Sequence, residues 1–424
     1  MGAGAVIVAA LLYCSFTTAT WRGYISPSWD LGIFTQLADR YAHFQAPIVN
    51  IKGEGFNLLG DHFHPILVLL GPIFRIWPSG LTLLIVQALL FALSVWPLAR
   101  LAVERLGTAA GCVLSVAYVL SWGLLNAIWA QFHEIAFAVP LLSFGLVWWL
   151  RGRLVLSSVA IALLVFVKED MGLTVAAFGV AIFLRQRSQR TPALFHIVWG
   201  LAWFLLSTLV ILPAFNPKGG WDYTDKISTL STLTSGIDQK LAVVCLLILA
   251  AGVVGLRSPF MLMLLPTLAW RFLGNNEFYW GWTFHYSAVL IPIATVALLD
   301  AARPRHRLLA PTIALLSALA MIVNTQINIL WRFDAWASSD ASQAIAVASQ
   351  YHTVATDIYL LAYLVPHTDT YWYGTLGDLV PDAFVMNRDK LGEDVESWAE
   401  SRYGTDWVTV YQENEWQVVA PAHS

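Results

Sequence analysis

The stretch SGLTLLIVQALLFALSVWPL, residues 79–98, holds no charged side chain and is followed closely by Arg100 and Arg105. A helix needs about 20 mostly apolar residues to cross a hydrocarbon core about 30 Å thick. This stretch has that length, and basic residues just past its end mark the cytoplasmic side of a crossing. The rest of the chain has the same character. Of 424 residues, 58% are hydrophobic and 12% charged, with a mean hydropathy of +0.64. Soluble domains carry roughly 25% charged residues, so most of this chain is expected in lipid.

Working outward, similar apolar spans occupy 3–20, 108–126, 134–150, 154–167, 171–184, 194–213, 239–256, 259–272, 284–299 and 307–324. With 79–98 they predict about 11 transmembrane helices. The run 65–77 is short and punctuated by Pro and Gly, and reads as re-entrant or interfacial. The first run lacks the basic leader of a cleaved signal peptide, so it reads as a retained helix. Every second loop is then arginine-bearing: Arg100 and Arg105; Arg151 and Arg153; Arg185, Arg187 and Arg190; Arg257; Arg303, Arg305 and Arg307. The phase requires 65–77 not to cross, and places the N-terminus in the cytoplasm and the C-terminus on the external side.

After residue 324 the solvent changes. This tail holds 14 of the 27 acidic residues but only four of the 24 Lys and Arg. Helical segments near 338–350, 357–365 and 392–402 alternate with the apolar run Thr353–Ala355 and strand-like pieces at 370–373, 383–386, 407–411 and 416–420. The expected fold is therefore an all-α polytopic membrane bundle, residues 1–324, carrying a small extracytoplasmic α/β domain, residues 325–424. No Gly-rich phosphate loop marks a nucleotide site, and nothing points to a nucleic-acid partner. Cys14, Cys112 and Cys245 lie in apolar runs without the spacing of a disulfide framework or thiolate metal site.

The loops opposite the arginines have their own chemistry. The long first one, 21–64, holds Asp30, Asp39, Asp61, His62 and His64; the others bring His133 and Glu134, Lys168 to Asp170, Asp222 and Asp225, then Arg271, Glu277, His285 and Tyr286. Ionisable groups near membrane depth are costly and point to function. Asp30, among apolar and aromatic neighbours, suits a base that takes a proton from a hydroxyl; the plain alternative is a helix cap. Asp61, His62 and His64 suit a divalent metal or a phosphate, against a capped turn entering a helix through Pro65. Lys168 suits a phosphate as a point charge, with His133, Glu134, Glu169 and Asp170 holding it or a metal; the alternative is helix anchoring by snorkelling. Arg271, His285 and Tyr286 suit a phosphate or pyrophosphate, whereas Trp280 and Trp282 read as aromatic belt.

These motifs, in this order, resemble the DUF2079 family of predicted membrane proteins. The resemblance lies in Asp30-Leu31-Gly32-Ile33-Phe34 with Gln36, Gly60-Asp61-His62-Phe63 with Pro65, His133-Glu134, Lys168-Glu169-Asp170, and Val365-Pro366-His367 in the tail. That family in turn looks related to the GT-C superfamily of integral-membrane glycosyltransferases, which carry an acid in a long first external loop. The resemblance implies a sugar donor on a polyprenyl phosphate, a lipid or glycan acceptor, and Asp30 as base rather than metal ligand. Two other classes stay open: a lipid or solute transporter or flippase, and a non-catalytic cell-envelope scaffold.

Overall fold

The computed structural model describes residues 2–25, 29–220, 230–332, 336 and 340–422. Ser28, Asp222, Asp225 and the first residues of the segment 338–350 lie outside the described residues. The chain divides into two compact units.

The first unit comprises residues 1–16, 59–66 and 86–328 and is helical. Among the described residues, five helices are long and apolar enough to cross a membrane: Gly2–Arg22, Gly80–Leu106, Thr108–Trp129, Arg187–Phe215 and Pro304–Asn324. Other expected spans are shorter apolar helices of 10–17 residues: Glu134–Leu150, Leu154–Phe166, Met171–Arg185, Pro259–Leu273 and His285–Ala301. The stretch that follows residue 236 forms the helix Ile237–Ala250. Local chemistry accounts for the breaks. Thr108–Trp129 is interrupted at Leu120 and Ser121. Within Arg187–Phe215 a π turn spans Ser207–Ile211, where the Ser207 and Thr208 hydroxyls donate to Trp203 and Phe204 carbonyls at 2.6 and 2.7 Å. Leu194, Val198, Leu205 and Leu209 along this helix are exposed, as a lipid-facing surface requires.

Small residues let neighbouring helices touch. A Cβ on Gly172 would stand 2.6 Å from the Gly200 carbonyl oxygen, and one on Gly179 would stand 2.6 Å from the Ala193 carbonyl oxygen. Helices Met171–Arg185 and Arg190–Leu206 therefore pack backbone to backbone.

The arginine-bearing loops are stapled together. Arg151 pairs with Glu104 at 2.5 Å, and Arg105 donates to the Leu299 carbonyl at 2.7 Å. Arg185 pairs with Asp300 at 2.8 Å, and Ser258 donates to the same carboxylate at 2.7 Å. These bonds tie all five arginine-bearing loops to one another.

The second unit comprises residues 17–58, 67–85 and 329–424. Its strands are β1 (Thr353–Thr356), β2 (Asp369–Trp372), β3 (Ala383–Asn387), β4 (Trp407–Glu413) and β5 (Trp416–Pro421), in the order β2-β1-β3-β5-β4. β1 is parallel to β2 and β3; β5 is antiparallel to β3 and β4. The apolar run Thr353–Ala355 is thus the central parallel strand. A two-residue turn joins β4 to β5, with Asn414 at φ 48°, which Asn tolerates well. Asp394 caps the helix Val395–Tyr403 by accepting from the Glu396 and Ser397 amides at 3.1 and 3.2 Å.

The first loop belongs to this unit. Its helix Trp29–Ala42 lies against the tail so closely that a Cβ on Gly32 would stand 2.6 Å from Leu361 Cβ. Gln36 donates to the Thr370 carbonyl and accepts from the Ile51 amide, both at 3.0 Å. Arg40 meets Asp369 at 3.5 Å, and Asn50 donates to Asp369 and to the Tyr371 hydroxyl at 3.3 and 3.1 Å. Gly32 and Gln36 of the first motif therefore serve the seam between loop and tail.

Candidate functional site

In the first unit, four separate helix breaks deliver the polar motifs. The turn Gly60–His64 is held by the helix end at Phe215: Asn216 donates to the Gly60 carbonyl at 3.0 Å, and a Cβ on Gly60 would stand 2.6 Å from the Phe215 carbonyl oxygen. Only glycine fits there. Phe63 stacks on Trp203 at 5.7 Å, which fixes the turn between two imidazoles. Helix Trp122–Trp129 stops before Gln131, whose φ is 71°, and the chain then presents His133 and Glu134. Lys168, Glu169 and Asp170 precede helix Met171–Arg185. His285 opens a 3-10 turn, His285–Ser287.

The side chains from these breaks meet. His62 Nδ1 lies 2.8 Å from Glu169 Oε1, and the Phe63 amide donates to Glu169 Oε2 at 3.1 Å. Lys168 Nζ lies 2.8 Å from Glu134 Oε1. The His133 and His285 rings stack with centroids 3.4 Å apart. Since Lys168 and Glu169 are adjacent in sequence, both carboxylate pairs form one network.

Its electrostatics follow from burial and these partners. Burial and Lys168 push His62 down, but Glu169, which bonds it, and Asp61 outweigh them and hold it above its ordinary value. The His62 and Lys168 charges overcome burial at Glu169 and keep it ionised. His64 is lowered to about 4, chiefly by burial, and is neutral at pH 7. Asp170 is raised to about 6, by burial above all and by the charges of Glu169 and Glu134 against that of Lys168. The network thus combines Lys168 and an imidazole of raised basicity, each held by a carboxylate, with a neutral imidazole and a carboxyl raised to about 6.

Arg271 is fully buried and has a different surrounding from the one expected of a phosphate ligand. It donates to the Tyr279 carbonyl at 2.8 Å, the Ser287 hydroxyl at 3.0 Å and the Gly281 carbonyl at 2.6 Å. It brackets the segment 279–287, with its guanidinium 5.7 Å from the Tyr286 ring. Asp61 is half-buried beside His62. Asp30 belongs to the second unit and stands exposed in the first turn of helix Trp29–Ala42. Among the described residues, no group of three or more His, Cys, Asp or Glu has the arrangement of a metal site.

Sequence reasoning missed Gln87. Its side-chain amide donates to the Ala127 and Gln131 carbonyls at 3.2 and 2.9 Å and accepts from the His133 amide at 3.1 Å. It therefore pins the break that presents His133 and Glu134. The signal was available: Gln87 is the one side-chain amide in the apolar stretch 79–98.

Residues 25–367 match the model of a family described as predicted membrane protein, DUF2079. No curated protein sequence matches the chain. The fold is similar to the crystal structure of ArnT from Cupriavidus metallidurans bound to undecaprenyl phosphate, with a TM-score of 0.61 at 13% identity over 99% of this chain and 98% of that one. For the apo state of the same protein the TM-score is 0.55 at 13% identity, over 97% and 96% of the two chains.

Proposed function

The chain belongs to the DUF2079 family of predicted membrane proteins, and we propose that it is a GT-C-type glycosyltransferase using a sugar carried on a polyprenyl phosphate. The observation that carries the reading is the whole-chain likeness to ArnT, a protein seen with undecaprenyl phosphate. In support stands the buried network of Lys168, Glu134, His62 and Glu169 at the ends of apolar helices. Charges at helix ends suit headgroup chemistry better than a transport path, which calls for charges near the midplane.

In this reading the short apolar helices cross within the bundle, for about 11 crossings in a prokaryotic plasma membrane, with the network and the tail on the extracytoplasmic side. The acceptor is a lipid or glycan hydroxyl. As its oxygen forms a bond to the anomeric carbon, the bond from that carbon to the phosphate oxygen breaks and the phosphate leaves with the electron pair. The configuration inverts. Lys168 and His62 exchange a carboxylate partner for the leaving phosphate, where preorganised donors are most effective. Asp61, His64, His133, Glu134, Glu169, Asp170, His285 and Tyr286 orient these donors or line the cleft, and Arg271 holds the segment that carries His285. The base is assigned from the sequence resemblance: Asp30 takes the acceptor proton, a role worth roughly 10²–10⁴-fold in rate.

The test uses the full chain in nanodiscs with a fluorescent polyprenyl-phosphate sugar and a panel of hydroxyl acceptors. Asp30→Asn should bind the lipid phosphate normally and form at least about 100-fold less product. Lys168→Met should lose both binding and product. Lipid movement across liposomes by a wild-type protein that makes no glycosylated product would defeat the reading.

A further inference from the structure

The stapled arginine face lies outside the chemistry above. Its five loops carry eleven arginines, no lysine and two acids, Glu104 and Asp300. Both acids are engaged in holding the loops: Glu104 by Arg151, Asp300 by Arg185 and Ser258. Among the described residues, no ion pair joins either acid to Arg257, Arg303, Arg305 or Arg307 of the last two loops. There, Arg257 ends the turn Val254–Arg257, and Arg303, Arg305 and Arg307 surround the turn Pro304–His306. The two turns are neighbours. A Cβ on Gly252 would stand 2.7 Å from the Ala310 carbonyl oxygen, and His306 feels the charges of Arg257, Arg303 and Arg305. All four guanidinium-bearing residues are exposed.

We propose that Arg257, Arg303, Arg305 and Arg307 form a headgroup site for an anionic phospholipid of the membrane. Guanidinium groups match phosphate oxygens two at a time, which an ammonium does not, and clustered arginines at a membrane face attract anionic lipid. The apolar surroundings select a lipid over a free phosphate. Leu256, Leu308 and Leu309 are exposed immediately beside the arginines. From Leu309 the exposed positions Leu316 and Val323 follow at sevenfold spacing, so one open stripe runs down helix Leu309–Met321 and past its end. A headgroup on the arginines sets its acyl chain along that stripe.

The experiment is native mass spectrometry of the full chain released from detergent, with phosphatidylglycerol, cardiolipin, phosphatidylcholine and inorganic phosphate as separate probes. The wild type should retain phosphatidylglycerol or cardiolipin at least about tenfold more than phosphatidylcholine, and should not retain phosphate. The four-fold Arg→Gln variant should lose that preference, whereas R153Q/R187Q/R190Q on the same face should keep it. Since removing four charges can disturb insertion, the four-fold Arg→Lys variant preserves the charge; it should fold and bind the anionic lipid several-fold more weakly. Equal retention of anionic and zwitterionic lipid overturns the proposal, as does phosphate binding that matches lipid binding or an Arg→Lys variant that binds like the wild type.

Discussion

Lys168 Nζ stands 2.8 Å from Glu134 Oε1, with 13% of the lysine side chain and 2% of the glutamate side chain exposed. A pair so nearly out of solvent is held by mutual need. Removing one partner strands a buried charge and typically costs about 3–5 kcal/mol, whereas replacing both by apolar groups is often neutral. Glu134→Leu and Lys168→Met should therefore each lower thermal stability in detergent, and the double replacement should recover much of the loss. Lipid-phosphate binding separates role from stability: the double variant should stay folded and fail to bind. A stable double variant that binds normally would remove the lysine from the headgroup site.

The close approach of Gly32 to Leu361 makes a second prediction. Gly32→Ala must push Leu361 or bend the helix Trp29–Ala42, and overpacking of this kind costs about 1–3 kcal/mol. The variant should be cleaved faster by protease between loop and tail. Adding Leu361→Ala should restore resistance, because the two changes share one space. If Gly32→Ala alone is as resistant as the wild type, the seam is looser than the Cβ geometry indicates.

Some of this was legible in the sequence. The longest apolar runs appear as helices because burial of 20 or so apolar residues admits little else, and strand-like pieces such as 383–386 stand out by their continuous apolar character. The parallel strand Thr353–Thr356 was legible only as an apolar run, since four residues do not distinguish strand from helix. Partner choice was not legible. His62 bonds a carboxylate 107 residues away, and no local pattern encodes such a pairing. Arg271 shows the same limit: beside His285 and Tyr286 it suggested an anion site, yet the carbonyls that engage it belong to a turn whose path only the folded chain reveals.

Gln87 offers a test of how the break at Gln131 is held. Its side chain serves the Ala127 and Gln131 carbonyls and the His133 amide. Gln87→Leu leaves those groups buried without that partner, and each such group costs about 1–3 kcal/mol. The variant should unfold at lower temperature, and amide exchange should quicken selectively at residues 130–134. A uniform rise in exchange across the bundle would show that Gln87 supports general packing, not this turn.

The two titrating groups of the network oppose each other in acid. His64 is lowered to about 4 from an ordinary value of 6.5, so between those limits the unfolded chain binds more protons, and stability falls as pH drops through that window. Asp170 is raised to about 6 from an ordinary 3.8; there the folded chain binds more protons, and stability rises as pH drops from 6 towards 3.8. Each effect is on the order of 1–3 kcal/mol, so the wild type should change little from this source between pH 6 and 4. Asp170→Asn removes the compensating term and should make the protein acid-sensitive across that range. His64→Gln should do the reverse and gain stability on acidification. Melting curves of the three proteins at pH 4, 5, 6 and 7 decide the matter: parallel curves would mean that neither group titrates in the windows its surroundings set.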